Sequence, residues 1–569
     1  MIKKKYLSML AGASFTSVIN VLLTITDSII CGIFLDDTAV SAIYLVTPVY
    51  NLCIFIAMLI SLGIPILYAN ARGRFNKEDA DRILGTGLTV CIFGGILIFI
   101  FLTLIKDIYL DHFMLSETMS RLADDYYDWI RYELLIMPLA EVMVETVFAD
   151  GDENCVITVA AVEASSNIIL SIILCRFMGI AGIALGSVVA VMLRFLVSLT
   201  HLLKKTNTLR MNLCFSFTVF RKDIHYALTD AGNYLFLAIS SYALNVFVAW
   251  YFGERMIIMV SVILLVQEFQ MLFDGIGETF TPIITVYLSE KCFAGVRKVW
   301  RLASITCILE SFGTMLLLIL LSGKIPELLG ITDPELLRMA STGILILTSG
   351  MVFTCYLYML TSYYRLLDKV TLSVGISALR DCLSNIPAAV AGGMIFGIEG
   401  VFGGMAAGTV LAFILSKLFV GRKYGKKNQP LLLDSREKGL KNYLFELEVN
   451  QEQVIQVRNS LEQALREAGA ARKQILRMML LLEELLMLIY EKNRHEKVLA
   501  ECALTVSSEK ITMIIHDNGI RLDLTDPDRN ITSLRSYVVP ELVTEWCHEG
   551  YHLTAVSFNR NSFEFKNAF

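Results

Sequence analysis

About twelve apolar stretches, each near the length that crosses a bilayer, run through the first three quarters of this chain. They fall into two sets of six, offset by roughly 217 residues. Short motifs carry the duplication. Phe148-Ala-Asp-Gly-Asp-Glu-Asn is answered by Tyr364-Arg-Leu-Leu-Asp-Lys, and Met178-Gly-Ile-Ala-Gly-Ile-Ala-Leu-Gly by Phe396-Gly-Ile-Glu-Gly-Val-Phe-Gly-Gly. The pattern predicts an all-α polytopic membrane protein with twelve transmembrane helices in two six-helix repeats. Two equivalent bundles create a cleft between them, and rocking one against the other opens that cleft to alternate sides, as in secondary transporters.

Composition agrees: 55% of residues are apolar and only 18% charged, too few for a soluble chain of 569 residues. The expected spans are 8–34, 39–70, 84–106, 124–148, 154–178, 182–203, 227–252, 257–287, 302–323, 340–364, 370–396 and 400–421. The first follows Lys3-Lys4-Lys5, but no small-residue cleavage site succeeds it and the apolar run is too long for a signal peptide. Lys and Arg gather on alternate loops, at 3–5, 72–82, 204–222, 291–301, 365–369 and 422–427, while Asp36, Asp37, Asp111, Asp124, Asp125 and Asp333 occupy the opposite ones. This asymmetry predicts a cytoplasmic-membrane protein with both termini in the cytoplasm. The twelve Cys form no CxxC pair and the His no HxxxH, so neither disulfides nor a zinc site is expected. The expected partners are the lipid bilayer and a small organic molecule, not nucleic acid.

Beyond Pro430 the composition becomes that of a soluble domain. Asn442 to Glu448 alternates like a strand. Asn450 to Ala468 and Lys473 to Lys492 read as amphipathic helices, the second bearing Glu483 and Glu484. Leu499 to Ser507 and Lys510 to His516 suggest a hairpin, and Tyr551 to Phe558 with Ser562 to Phe565 a closing pair of strands. The tail is therefore expected to be α+β.

A charge at bilayer depth costs several kcal/mol, so each one asks for a cavity or a partner. Asp27 lies in the middle of span one, as a cation or proton site would. In span eight Gln267, Gln270, Asp274 and Glu278 recur at helical spacing and are expected to line a wet path, the two carboxylates sharing a proton or binding a cation. Glu141 and Glu145 in span four, Glu163 and Asn167 in span five, and Arg380, Asp381 and Asn385 in span eleven serve equally as internal ion pairs or cleft groups. Glu141 or Glu163 would pair with Arg194 or Arg380. Arg380 and Asp381, being adjacent, are expected to point apart. Pro48 is expected either to break span two and free a carbonyl or to kink it passively. Tyr356, in the aromatic span ten, is a candidate contact for a flat cationic substrate.

Asp27-Ser28-Ile29-Ile30-Cys31-Gly32, Ala39-Val40-Ser41-Ala42 with Pro48, Gly63-Ile64-Pro65, Ala69-Asn70-Ala71-Arg72-Gly73-Arg74 and the Asp150-Gly151-Asp152-Glu153-Asn154 segment together resemble the multidrug and toxic-compound extrusion (MATE) transporters over about residues 5–421. The resemblance implies antiport, with a proton or sodium ion entering as an organic, often cationic, molecule leaves, and it implies that Asp27 is the first-helix coupling acid. Span seven departs from the family, having no acid between Tyr234 and Tyr251. That leaves coupling either to Asp27 with Asp274 and Glu278 or to the N-terminal bundle alone, and cleft contacts to Glu141, Glu163, Asn167 and Tyr356.

In the tail, Ile514-Ile515-His516-Asp517-Asn518-Gly519-Ile520 resembles the Asp-x-Gly box of the histidine-kinase and anti-sigma-factor-kinase ATPase fold. The likeness implies that Asp517 would meet an adenine amino group, that Gly519 would let the base approach, and that Glu484 would be the acid of the preceding helix. Leu488 stands where a magnesium-holding Asn belongs, and Ser533-Leu534-Arg535-Ser536 replaces a glycine-rich lid. The tail is thus expected to be a degenerate regulatory domain that meets a cytoplasmic partner, not an enzyme, and no cofactor beyond the coupling ion is expected. The expected organisation is 1–210, 211–425 and 430–569. A lipid-precursor flippase and a membrane sensor relaying through the tail are the rival readings.

Overall fold

The computed structural model describes residues 2–73, 76–113, 115–204, 207–493, 497–507, 510–520, 543–548 and 551–559. Among the described residues the helices group into twelve spans, as the duplication requires. Span one is Ile2–Phe34, span two Asp37–Leu59 with Gly63–Gly73, span three Lys77–Asp111, span four Glu117–Ala149, span five Glu153–Met178 and span six Ile180–Ser198. The second set begins with span seven, Phe217–Phe252. Span eight is Ile257–Glu268 continued by Phe269–Phe273 and Asp274–Ser289, span nine Phe293–Leu321, and span ten the bent pair Pro334–Thr348 and Met351–Leu366. Span eleven is Val370–Ala378, Leu379–Leu383 and Asn385–Phe396, and span twelve Ile398–Tyr424. Among the described residues, nine helices are long and apolar enough to cross a membrane by length and composition, and the bent pair of span ten makes a tenth.

The starts are written locally. Asp36, Asn76, Ser116, Asp152 and Asp333 each accept a backbone N–H of the following first turn, satisfying groups that no helix can satisfy internally. The repeat is visible at the joints. Gly179 and Gly397 end spans five and eleven at φ of 62° and 71°, a region that other residues avoid. Three and seven residues on, a Cβ at Gly182 or Gly400 would collide with the carbonyl of Leu174 or Gly392, and one at Gly186 or Gly404 with Ser171 or Ala388. Small residues thus let spans five and six, and eleven and twelve, meet backbone to backbone.

Pro48 does not break span two. The helix runs unbroken from Asp37 to Leu59, and the interruption comes later, before Gly63. The carbonyl that the proline leaves without a donor, that of Tyr44, accepts instead from Asn245 Nδ2 of span seven at 2.9 Å.

The chain forms two compact units. One comprises Ser14–Gly275 and Cys307–Leu418. The other joins Met1–Ala13, Ile276–Thr306 and Phe419–Phe569, so the tail clusters with the start of span one and the hairpin of spans eight and nine. In the tail, an antiparallel five-stranded sheet runs in the order β1-β2-β3-β5-β4, with β1 Lys441–Glu448, β2 Leu499–Val506, β3 Lys510–Asp517, β4 Val543–His548 and β5 Tyr551–Asn559. Helices α1 (Gln451–Glu467) and α2 (Arg472–Lys492) put Leu461, Leu465, Leu482 and Leu486 against Leu447, Cys502, Leu504, Met513 and Ile515 of one sheet face. The closing strands differ from expectation: β5 pairs with the segment before it, β4, and Ser562 to Phe565 lies outside the described residues.

Gly400→Val, which sets a branched side chain against the Gly392 carbonyl, should lower the thermal unfolding temperature in detergent measurably, corresponding to about 1–3 kcal/mol of overpacking. Gly403→Val, at a site with only a distant Ile346 neighbour, should not.

Candidate functional site

In the larger unit a cavity of about 370 Å³ opens among spans one, two, four, five, six, seven, eight, ten and eleven. Asp27 of span one is at its wall. Ser187 Oγ donates to Asp27 Oδ2 at 2.7 Å and Ser171 Oγ to Oδ1 at 3.4 Å, while Asn167 Nδ2 donates to Ser187 Oγ at 3.0 Å. Spans one, five and six therefore converge on one carboxylate. The arrangement suits an ion site: hydroxyls fix the carboxylate without neutralising it, so a proton or a small cation is still needed.

Four further carboxylates line the cavity: Glu133, Glu163, Glu268 and Asp381. Glu133 accepts from the Tyr50 hydroxyl at 2.7 Å. Glu268 has no hydrogen-bond partner among the described residues, and the neighbouring Gln267 Oε1 is buried and unsatisfied. Tyr44, Tyr50, Tyr126, Tyr234 and Tyr358 supply aromatic wall. No Lys, Arg or His lines the cavity among the described residues.

The cations stand behind the wall. Arg194 of span six reaches Glu141 Oε2 at 2.5 Å and Glu163 Oε1 at 3.4 Å, so both acids pair with Arg194 and only Glu163 also faces the cavity. Arg380 and Asp381 do not point apart. Nε and Nη2 of Arg380 donate to the two Asp381 oxygens at 2.6 Å each, and the guanidinium lies 3.5 Å from the centre of the Tyr358 ring. The π-type turn Leu379–Leu383 makes this possible, because its wider winding lets adjacent side chains fold toward each other.

Asp27, Glu163 and Asn167 come together as expected. Asp274 and Glu278 do not join them: both are exposed and neither lines the cavity. The reason is the 3₁₀ turn Phe269–Phe273. Winding at 3.0 rather than 3.6 residues per turn over five residues rotates the following face by about 100°. Gln267 and Gln270 stay on the wall and Asp274 turns away, near enough to Arg380 to act on its charge. Tyr356 is likewise displaced. It packs edge-on against Phe413, with ring centres 5.5 Å apart, and Tyr358 faces the cavity in its place. Sequence reasoning passed over Glu133 and Glu268; an acid inside an apolar run was the available signal for both.

In the tail, Asp517 is buried at the end of β3 and accepts the Gly519 N–H at 2.9 Å, while Asn518 Oδ1 accepts that of Leu499 at 2.7 Å. Asp517-Asn518-Gly519 is thus a bonded turn, packed against the Asn493 side chain. Glu484 is half-buried on α2, where its neighbour Glu483 pairs with Arg458 at 2.9 Å. Ser533 to Ser536 lie outside the described residues.

The described residues thus form two matched helical halves around a polar cavity. Residues 13–173 match the MatE family. Among solved structures, an inward-facing multidrug-resistance MATE family transporter of the MOP superfamily superposes with a TM-score of 0.67 at 17% identity, over 72% of this chain and 96% of that one. The MATE multidrug transporter DinF-BH, solved as a ligand complex, gives 0.61 at 19%, over 74% and 96%. A MOP superfamily transporter from Pyrococcus furiosus, described as having a binding pocket of reverse polarity, gives 0.60 at 16%, over 74% and 95%. No curated protein sequence matches the chain. Residues 13–173 thus match the MatE family within a chain that has the fold of MATE transporters, and among the described residues nine helices are long and apolar enough to cross a membrane.

Arg194→Met strands two carboxylates in a low-dielectric interior. It should cost about 3–5 kcal/mol in thermal unfolding, and the triple change with Glu141→Gln and Glu163→Gln should recover most of that loss.

Proposed function

We propose that this transporter exports flat organic cations in exchange for protons or sodium ions, and that its tail regulates the exchange. The observation that carries the reading is the cavity's charge: five carboxylates and several tyrosines line it, with no basic side chain among the described residues. Such a wall favours a delocalised cation, which gains from aromatic faces and from carboxylates in a low-dielectric setting. Asp27, bonded by Ser187 and Ser171, is the coupling site. Glu268, without a hydrogen-bond partner among the described residues, is the counter-charge for the substrate, and Glu133 supports it from the other repeat. Asp274 and Glu278 have no part in this scheme. The flippase reading asks for a basic cleft to hold pyrophosphate; Arg194 and Arg380 are instead spent on neighbouring acids. The basic loops support a plasma-membrane location with cytoplasmic termini.

Reconstituted in liposomes, the protein should expel a cationic dye under an imposed proton or sodium gradient. Asp27→Asn should reduce that gradient-driven efflux at least about tenfold, and Glu268→Gln should raise KM for cations while sparing neutral compounds. Full gradient-driven efflux by Asp27→Asn would sink the assignment. Deleting 430–569 should alter rate without abolishing transport; loss of a signalling output with transport untouched would favour the sensor.

A further inference from the structure

The tail sheet has two faces, and α1 and α2 fill only one. On the other face Glu501, Ala503, Ile514 and His516 are also buried. The hairpin of spans eight and nine, in the same compact unit, reaches Glu501 and His516 from that side. His516 Nδ1 lies 3.1 Å from Glu501 Oε1 and Nε2 lies 2.9 Å from Glu290 Oε1, one residue past span eight. The Tyr287 hydroxyl, from the last turn of that span, donates to the same Glu501 oxygen. A neutral imidazole carries one N–H, so carboxylates on both ring nitrogens call for imidazolium. Its removal would leave two buried carboxylates facing one another, each already with one unsatisfied oxygen. At the margin Arg297 meets Glu437 and Lys298 meets Glu446, which also accepts the Ile2 N–H at 3.1 Å. These are partly exposed and add little by themselves.

We propose that His516 is the bolt of a proton-dependent latch: as imidazolium between Glu290 and Glu501 it fastens the tail to the end of span eight and restrains a helix whose upstream half, Gln267 and Glu268, lines the cavity. The effect on rate rests on the transport reading above; the latch itself does not. Burial opposes the charge, but the bonds to Glu290 and Glu501 outweigh it and raise the imidazole to about 9. A histidine raised above its free value of about 6.5 contributes its full docking energy below that pH. The contribution is lost as pH rises through about 9. The other groups facing the site do not compete for this proton. Burial lifts the Cys292 thiol to about 12, with Arg297 nearby, while Cys502 points to the opposite sheet face and the backbone places Leu553 across from His516 on β5.

Cys292 sits in the hairpin turn, 1% exposed, and reports the latch without any substrate. In the full-length protein in detergent, iodoacetamide should alkylate Cys292 at least about tenfold faster in His516→Gln than in wild type at about pH 7.5. Wild type should accelerate between about pH 8 and 10 beyond the rise shown by a free cysteine peptide, and His516→Gln should not. Glu290→Gln, outside the tail's own core, should fall between the two and serves if His516→Gln misfolds. In liposomes His516→Gln should turn over several-fold faster at unchanged KM, with a flatter pH profile. Equal alkylation of wild type and both variants overturns the latch. Faster alkylation with unaltered turnover overturns its control of transport, and a chain that transports no cation leaves the alkylation result decisive for the latch alone.

Discussion

A carboxylate inside a bilayer is tolerable only where something holds it, and this constraint organises the molecule. The cavity acids and their neighbours are held in different ways. Glu141 and Glu163 share Arg194, and Asp381 takes both arms of Arg380. Asp27 has two serine hydroxyls and Glu133 a tyrosine. Glu268 has the cavity. In the proposed exchange, the order of decreasing neutralisation is the order of increasing readiness to meet an incoming cation.

The same constraint explains the irregular places in the helices. A continuous span two needs a donor for the carbonyl that Pro48 strands, and Asn245 of the second repeat provides it. The wide turn at Leu379–Leu383 folds Arg380 back on its neighbour, and the tight turn at Phe269–Phe273 decides which acids of span eight reach the cavity. The proline site and the wide turn each give a polar group a partner, whereas the tight turn turns Asp274 and Glu278 away from the cavity.

Much of this was legible in the residues. Length and apolarity set the spans, the Gly179 and Gly397 motifs announced the repeat, and Asp27 stood out as an acid in an oily run. The alternation of residues 442–448, 499–507 and 510–516 marked three strands of the tail. What escaped reading depends on rotation. The helical row from Gln267 to Glu278 assumes a constant 3.6 residues per turn, and a single 3₁₀ turn cancels it. Adjacent residues such as Arg380 and Asp381 diverge in a regular helix and converge in a π turn. Tyr356 and Tyr358 were indistinguishable until packing put one against Phe413. The tail's covered second face was equally hidden, because Glu501 and His516 alternate like solvent-facing strand residues.

The central claim is that ion and organic cation draw on the same set of cavity carboxylates. Reciprocal linkage then requires each to weaken the other's binding. The direct measurement is equilibrium binding of a fluorescent organic cation to the purified protein across a range of proton and sodium concentrations. The account predicts that the dye's Kd rises steadily with at least one of these ions and that the dependence shrinks in Asp27→Asn. A Kd indifferent to both ions in the wild-type protein would contradict it.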